Sequence, residues 1–172
     1  MPLTIVVQPI KNENRPWIRQ FLHNHWGSSR VVSRGHVHHA DVLPGFIAYP
    51  FQEDQQLEQV SPGGLITYNI LGHDCEIVTL DSLVGGIGVG TRLILAVESA
   101  ARASGCRRLW LITTNDNTKA LKFYQKRGFT LVALYRDAIH LSRLLKPEIP
   151  LTGIDNIPIR DEIELEKFIP IT

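Results

Sequence analysis

The chain has 172 residues, 44% hydrophobic and 20% charged, and its 18 Lys+Arg against 17 Asp+Glu leave a formal charge of +1. That length suits one compact domain over residues 1–172 with a core large enough to fold unaided, and the balanced charge excludes a broad pull toward nucleic acid or an anionic membrane. No apolar stretch approaches membrane-spanning length, and the start MPLTIVVQPIKNENRPW turns polar too soon for a signal peptide, so the expected location is the cytoplasm.

In chain order, Leu3–Pro9 is β-branched and ends on proline, as a first strand does. From about Asn14 to Trp26, the residues Trp17, Ile18, Phe21, Leu22 and Trp26 share one face of an amphipathic helix, with Pro16 near its start, where proline is tolerated. Arg30–Ser33 is a short strand candidate. His36-Val37-His38-His39 and Asp41 offer metal-ligand chemistry, but without a standard ligand spacing, so the segment reads as a loop and no metal site is expected. Gly45–Phe51 and Leu65–Leu71 read as strands, the second preceded by the turn Ser61-Pro62-Gly63-Gly64. Leu71-Gly72-His73-Asp74 is a tight reversal into Cys75–Leu80, so the middle of the chain predicts an antiparallel meander.

The pattern then changes. Leu93, Ile94, Val97, Ala100 and Ala101 recur at helical spacing over Thr91–Ser104, which Gly105 caps. A short apolar strand, Arg108–Thr113, follows, then a helix over Thr118–Arg127 closed by Gly128, then a strand over Thr130–Leu134. Such alternation implies parallel pairing in this half. Ala138–Leu145 reads as a further helix, and Pro147, Pro150 and Pro158 mark an irregular stretch. In Arg160–Ile169 the alternation of Glu162, Glu164 and Glu166 with Ile163, Leu165 and Lys167 predicts a strand whose carboxylates form a solvated face. Cys75 and Cys106 lack disulfide or metal spacing and read as buried free thiols.

Between the meander and the first of these helices lies Leu83-Val84-Gly85-Gly86-Ile87-Gly88-Val89-Gly90-Thr91. A helix start presents unpaired N–H groups and the positive end of the dipole, and glycines let that backbone approach an anion. The lysine of a nucleoside-triphosphate loop is absent, and a meander is the wrong prelude for a dinucleotide fold. The downstream run Asn117-Thr118-Lys119-Ala120-Leu121-Lys122-Phe123-Tyr124-Gln125-Lys126-Arg127-Gly128-Phe129 matches N-x-x-A-x-x-F-Y-x-x-x-G-F throughout.

These two motifs, in this order, resemble the GNAT superfamily of N-acetyltransferases, whose pyrophosphate turn is [QR]-x-x-G-x-[GA]. The chain matches that turn at Gly88 and Gly90 and departs from it at Gly85, where the family carries Gln or Arg. The resemblance implies an α/β (α+β) GNAT fold, with a mixed, mostly antiparallel central sheet, flanking helices and acetyl-CoA as cosubstrate. It implies that main-chain groups of Val78 and Leu80 take the pantetheine arm and that amides of Gly86, Ile87, Gly88, Val89, Gly90 and Thr91 hold the pyrophosphate. Asn117 and Lys119 would lie beside the cofactor, and Tyr124 would be the general acid for the departing thiolate. Asp74 and Glu76, two apart on one strand, share a face, and Glu76, inside the strand, is the better candidate base. The histidine segment would border the acceptor pocket. The acceptor would be an amine, on a small molecule or a protein, and a homodimer is compatible with the family. Two other readings stay open: a GNAT-fold acyl-CoA sensor without turnover, and a nucleotide-binding module of another fold.

Overall fold

The computed structural model describes residues 3–52 and 55–170. The meander runs through β1 (Thr4–Pro9), β4 (Gly45–Phe51), β5 (Gly64–Leu71) and β6 (Asp74–Ser82). Gly72 and His73 make the two-residue turn between the last two, with Leu71 opposite Asp74. The second half supplies β7 (Arg108–Thr114), β8 (Thr130–Tyr135) and β9 (Glu162–Phe168). Together they form a seven-stranded sheet of order β1-β4-β5-β6-β7-β9-β8. Among the described residues of this sheet, β6 and β7 alone pair in parallel and the other neighbours are antiparallel. The last strand therefore inserts between β7 and β8.

Two helices cover opposite faces of this sheet. α1 (Arg15–Trp26) carries proline in its first turn and ends on Gly27 in the left-handed region, whose N–H reaches the His23 carbonyl at 3.1 Å. It buries Ile18, Phe21 and Leu22 against Ile47, Leu65 and Val78. α2 (Val89–Ala103) buries Leu93, Ile94, Val97 and Ala101 on the other face, against Ala48, Ile66, Ile77 and Leu109. Full burial of a side chain of this size contributes roughly 1.5–3 kcal/mol, so these two stripes hold the sandwich together. α3 (Thr118–Gln125) and α4 (Ala138–Leu145) complete the helices. Cys75 and Cys106 are buried free thiols, and burial pushes the Cys75 thiol up to about 12.

Two expectations are corrected. The histidine segment is not a loop: β2 (Arg30–Ser33) and β3 (His36–His39) pair as an antiparallel hairpin, Arg30 opposite His39. Arg34 and Gly35 both have positive φ, 49° and 76°, which is what a two-residue hairpin turn of right-handed twist requires. Nor do the β9 carboxylates form a solvated face, since Glu162 and Glu164 are buried, 1% and 8% exposed. Their charges are met there. Arg108 bonds Glu166 at 2.5 Å and also Glu164, and the Tyr135 hydroxyl donates to Glu164 at 2.6 Å. Ser142 Oγ donates to Glu162 at 3.0 Å, and the Arg34 amide reaches its other oxygen at 3.3 Å. The hairpin and α4 thus seat on a row of paired carboxylates.

Candidate active site

The site begins where the sheet comes apart. β6 and β7 pair from Asp74–Arg108 to Ile77–Leu111 and no further, although β6 continues to Ser82 and β7 to Thr114. A register shift causes the divergence: Tyr68 lies opposite Ile77 and Thr67 opposite Thr79, so Val78 is one residue too many. Such a bulge bends its strand and increases its twist. The Thr67 and Thr79 hydroxyls, 2.7 Å apart and buried, pin the register beyond it. Past the bulge, the β6 edge that faced β7 carries main-chain groups with no strand beside them.

The gap opens into a chamber of about 160 Å³ lined by Glu76, Val78, Thr113 and Asn117, and roofed by Trp26 and Val31. On the α3 side it gives onto a groove of about 360 Å³ that Leu80, Ser82, Gly90, Asn117, Lys119 and Tyr124 line. Asn117 borders both. Its Oδ1 also accepts the Ala120 N–H at 3.2 Å, so it is the N-cap that starts α3. Six residues singled out in the sequence, Glu76, Val78, Leu80, Asn117, Lys119 and Tyr124, therefore line two cavities that meet at Asn117. Asp74 stands apart from the chamber. It lines a second cavity with Glu76, His38 and Arg108, and Arg108 Nη1 lies 3.4 Å from its carboxylate.

The glycine turn closes the outer end of the groove. Gly86 and Gly88 adopt φ of 80° and 89°, where other residues are strained. The first α2 bond runs from the Arg92 N–H to the Gly88 carbonyl at 3.0 Å, so the N–H groups of Val89, Gly90 and Thr91 stay outside the helical ladder. A Cβ on Gly90 would come within 2.8 Å of the Phe123 ring, which places α3 directly on this turn. Arg127 braces the pair: Nε donates to Thr91 Oγ1 at 2.8 Å, Nη1 to the Phe123 carbonyl at 2.7 Å, and its guanidinium lies 3.5 Å over the Phe123 ring. A cation thus stands beside the turn although Gly85 carries none.

Tyr124 is buried edge-on between Phe123 and Phe129, with ring centres 5.3 and 5.5 Å away. Burial, and after it the Asp81 charge, push its phenol well above the ordinary range. Glu76 is buried too, and its Oε1 has no hydrogen-bond partner. His38 Nε2 lies 3.1 Å from Glu76 Oε2, out of line for a hydrogen bond. Asp81, one turn of the strand beyond Val78, receives both 3.1 Å contacts of the Trp26 indole N–H, while burial pushes its carboxyl up to about 6.

Sequence reasoning missed two of these participants, Arg127 and Asp81, and gave a third, His38, the border of the acceptor pocket but the wrong local structure. His38 was placed in a loop, although the Arg34-Gly35 step between two β-branched segments is a hairpin signal. Arg127 is simply the variable residue before the motif glycine. Asp81 shows its role only once Trp26 arrives from α1.

The family model described as "Acetyltransferase (GNAT) family" matches residues 45–129. The uncharacterized protein YdhI of Bacillus subtilis (strain 168) is 39% identical over 165 residues, covering 96% of this chain and 99% of that one. YxbD of the same organism is 41% identical over 150 residues, 87% of this chain and 90% of its own. Among solved structures, the IAA acetyltransferase from Bacillus cereus superposes with a TM-score of 0.67 at 20% identity, covering 96% and 99% of the two chains. A Bacillus subtilis acetyltransferase in complex with CoA gives 0.61 at 17%, covering 98% and 100%. A GNAT family acetyltransferase from Elizabethkingia anophelis with acetyl-CoA bound gives 0.62 at 16%, covering 95% and 97%. The matched span holds the bulge, the glycine turn and the Asn117–Phe129 signature, the whole chain adopts the same fold as these acetyltransferases, and the protein belongs to the GNAT acetyltransferase family.

Proposed function

We propose that the protein transfers an acetyl group from acetyl-CoA to a primary amine by direct attack. The observation that carries this reading is the chamber at the β6–β7 gap, where a buried carboxylate, Glu76, meets a groove shaped for an extended cofactor. The chain fits CoA in its own terms. The unpaired edge of β6 at Val78 and Leu80 can take the pantetheine arm as an added strand. The amides over Gly86 to Thr91, at the positive end of a 15-residue helix, suit a pyrophosphate, with Asn117 and Lys119 along the groove.

Bound acetyl-CoA supplies the acyl group; the side chains handle protons. Only a neutral amine attacks, and Glu76, which lines the chamber and has one oxygen without a hydrogen-bond partner, can take the proton of an incoming ammonium. His38 beside it and the cavity that both line offer a route for that proton to solvent. Tyr124 keeps its proton at any pH at which the protein works, and lines the groove that leads to the chamber, so it can donate to the departing sulfur.

The test is thiol release from acetyl-CoA against a broad panel of amines. Tyr124→Phe should lower kcat by about 100-fold, within the range for a lost general acid, and leave acetyl-CoA affinity nearly unchanged. Retained CoA binding with no thiol release from any amine would favour the sensor reading instead.

A further inference from the structure

The segments around the glycine turn carry one sign of charge. From Ser82 to Val97 the chain holds no Asp or Glu, and Arg92 is its one charged residue. From Asn117 to Tyr135 it again holds no acid, while Lys119, Lys122, Lys126 and Arg127 are all basic. In a chain whose formal charge is only +1, that is a local excess of cations. The three lysines are exposed, and Arg127 is half-buried. A lysine head is a point charge on a flexible stem, whereas a guanidinium held by its neighbours is a fixed fork.

Arg127 is held in this way. Thr91 and the Phe123 carbonyl take up its Nε and Nη1, and the guanidinium lies over the Phe123 ring. Nη2 donates to none of the described residues and is not sealed from solvent. No carboxylate among those residues lies within 4.0 Å of the guanidinium. Glu98, the first acid along α2, is engaged by Arg102 and Lys167 instead. Burial pulls Arg127 below the usual arginine range with no acid to offset it, yet arginine stays charged at any working pH.

The fork also has a neighbourhood. Thr91, whose Oγ1 accepts from Nε, carries one of the three amides that stay outside the α2 ladder. The free end of the guanidinium and the N–H groups of Val89, Gly90 and Thr91 thus stand at one helix start, a donor set that suits phosphate oxygens. The turn itself brings no cation at Gly85, although a side chain there has room. No atom lies within 4 Å of its Cβ position, and its φ is outside the left-handed region.

We infer that Arg127 supplies the side-chain cation for the pyrophosphate of CoA, from the end of α3 rather than from the turn. This rests on the acetyl-CoA reading above. A bare Gly85 and a fixed Arg127 form one arrangement, so a cation returned to position 85 makes Arg127 dispensable for binding.

The experiment is calorimetry on the whole chain with CoA and with dephospho-CoA, which keeps the pyrophosphate and lacks the 3′-phosphate. Arg127→Gln keeps a donor toward Thr91 and removes the charge. It should raise the Kd of both ligands about tenfold at low salt, the scale of one charge-assisted hydrogen bond. The difference from wild type should narrow at about 0.5 M salt, where exposed charges are screened. Adding Gly85→Arg to Arg127→Gln should recover most of the loss, which a missing brace between helices does not allow. Arg127→Lys, which keeps the charge and loses the fork, should lose part of the affinity. Circular dichroism and Tm check that each variant folds. If Arg127→Gln does not fold, Arg127→Lys decides, and an unchanged Kd then overturns the inference. An unchanged Kd in Arg127→Gln overturns it too, as does a loss that is equal at both salt concentrations and not relieved by Gly85→Arg. A loss seen with CoA and absent with dephospho-CoA also overturns it, because it places the cation on the 3′-phosphate. Failure of the wild type to bind either ligand instead overturns the acetyl-CoA reading itself.

Discussion

Asp81 keeps a carboxylate where its charge is poorly solvated. In the folded chain the proton stays on up to about pH 6, whereas an unfolded aspartate releases it near 3.8. Between those values the folded state binds more protons, so stability falls as pH rises through the window and is lowest above it. Asp81→Asn, which still accepts from Trp26, should therefore raise stability by about 2 kcal/mol at pH 8 and change little at pH 3.5, as urea titrations at the two pH values will show. Glu76→Gln keeps the shape of the chamber and removes the proton acceptor, so kcat should fall by about 100-fold or more with acetyl-CoA binding retained. At this scale the sequence was legible where a residue's place follows from its position in a motif, as for Asn117 and Tyr124, which line one groove. It was silent where the role depends on what folds over the residue. His38 meets Glu76 and Asp81 meets Trp26 through contacts between distant segments, and no local pattern records them.

The start of α2 shows how an element can carry unpaired amides and a packing joint at once. The sequence pattern places the helix from Thr91, but the helix begins at Val89, because Gly88 already serves as its N-cap with positive φ. Gly88→Ala would force a side chain into the left-handed region, costing about 1–2 kcal/mol locally. It should weaken CoA binding measured by calorimetry more than it lowers Tm, since no packed atom lies within 4 Å of that position. Gly90→Val should do the reverse: its Cβ meets the Phe123 ring, so the joint between α2 and α3 loosens and Tm falls. β9 teaches a complementary point. Its alternation announced a strand, but period alone cannot say whether the polar face meets water or a neighbouring layer. Arg108 and the hairpin cover it. Arg108→Met should leave Glu164 and Glu166 without their main cation and destabilise the fold by about 3 kcal/mol or more, read from urea unfolding.

Across the whole molecule, the meander, the β6–α2–β7 unit and the groove beside α3 were legible because they rest on local turns and a contiguous signature. The β2–β3 hairpin and the insertion of β9 between β7 and β8 were not, since both depend on long-range pairing that short-range patterns leave open. This division coincides with a division of labour. The groove residues Leu80, Gly90, Asn117, Lys119 and Tyr124 fall within the family span 45–129, whereas Trp26, Val31 and Ile139, which line the chamber, fall outside it. The two halves meet at the chamber, across a gap that a single extra residue at Val78 opens. That bulge makes the protein a socket with an interchangeable fitting. Grafting the hairpin and the 139–159 segment from another family member should exchange the repertoire of accepted amines while the KM for acetyl-CoA stays put, so lineages can diversify chemistry on one side without renegotiating the other.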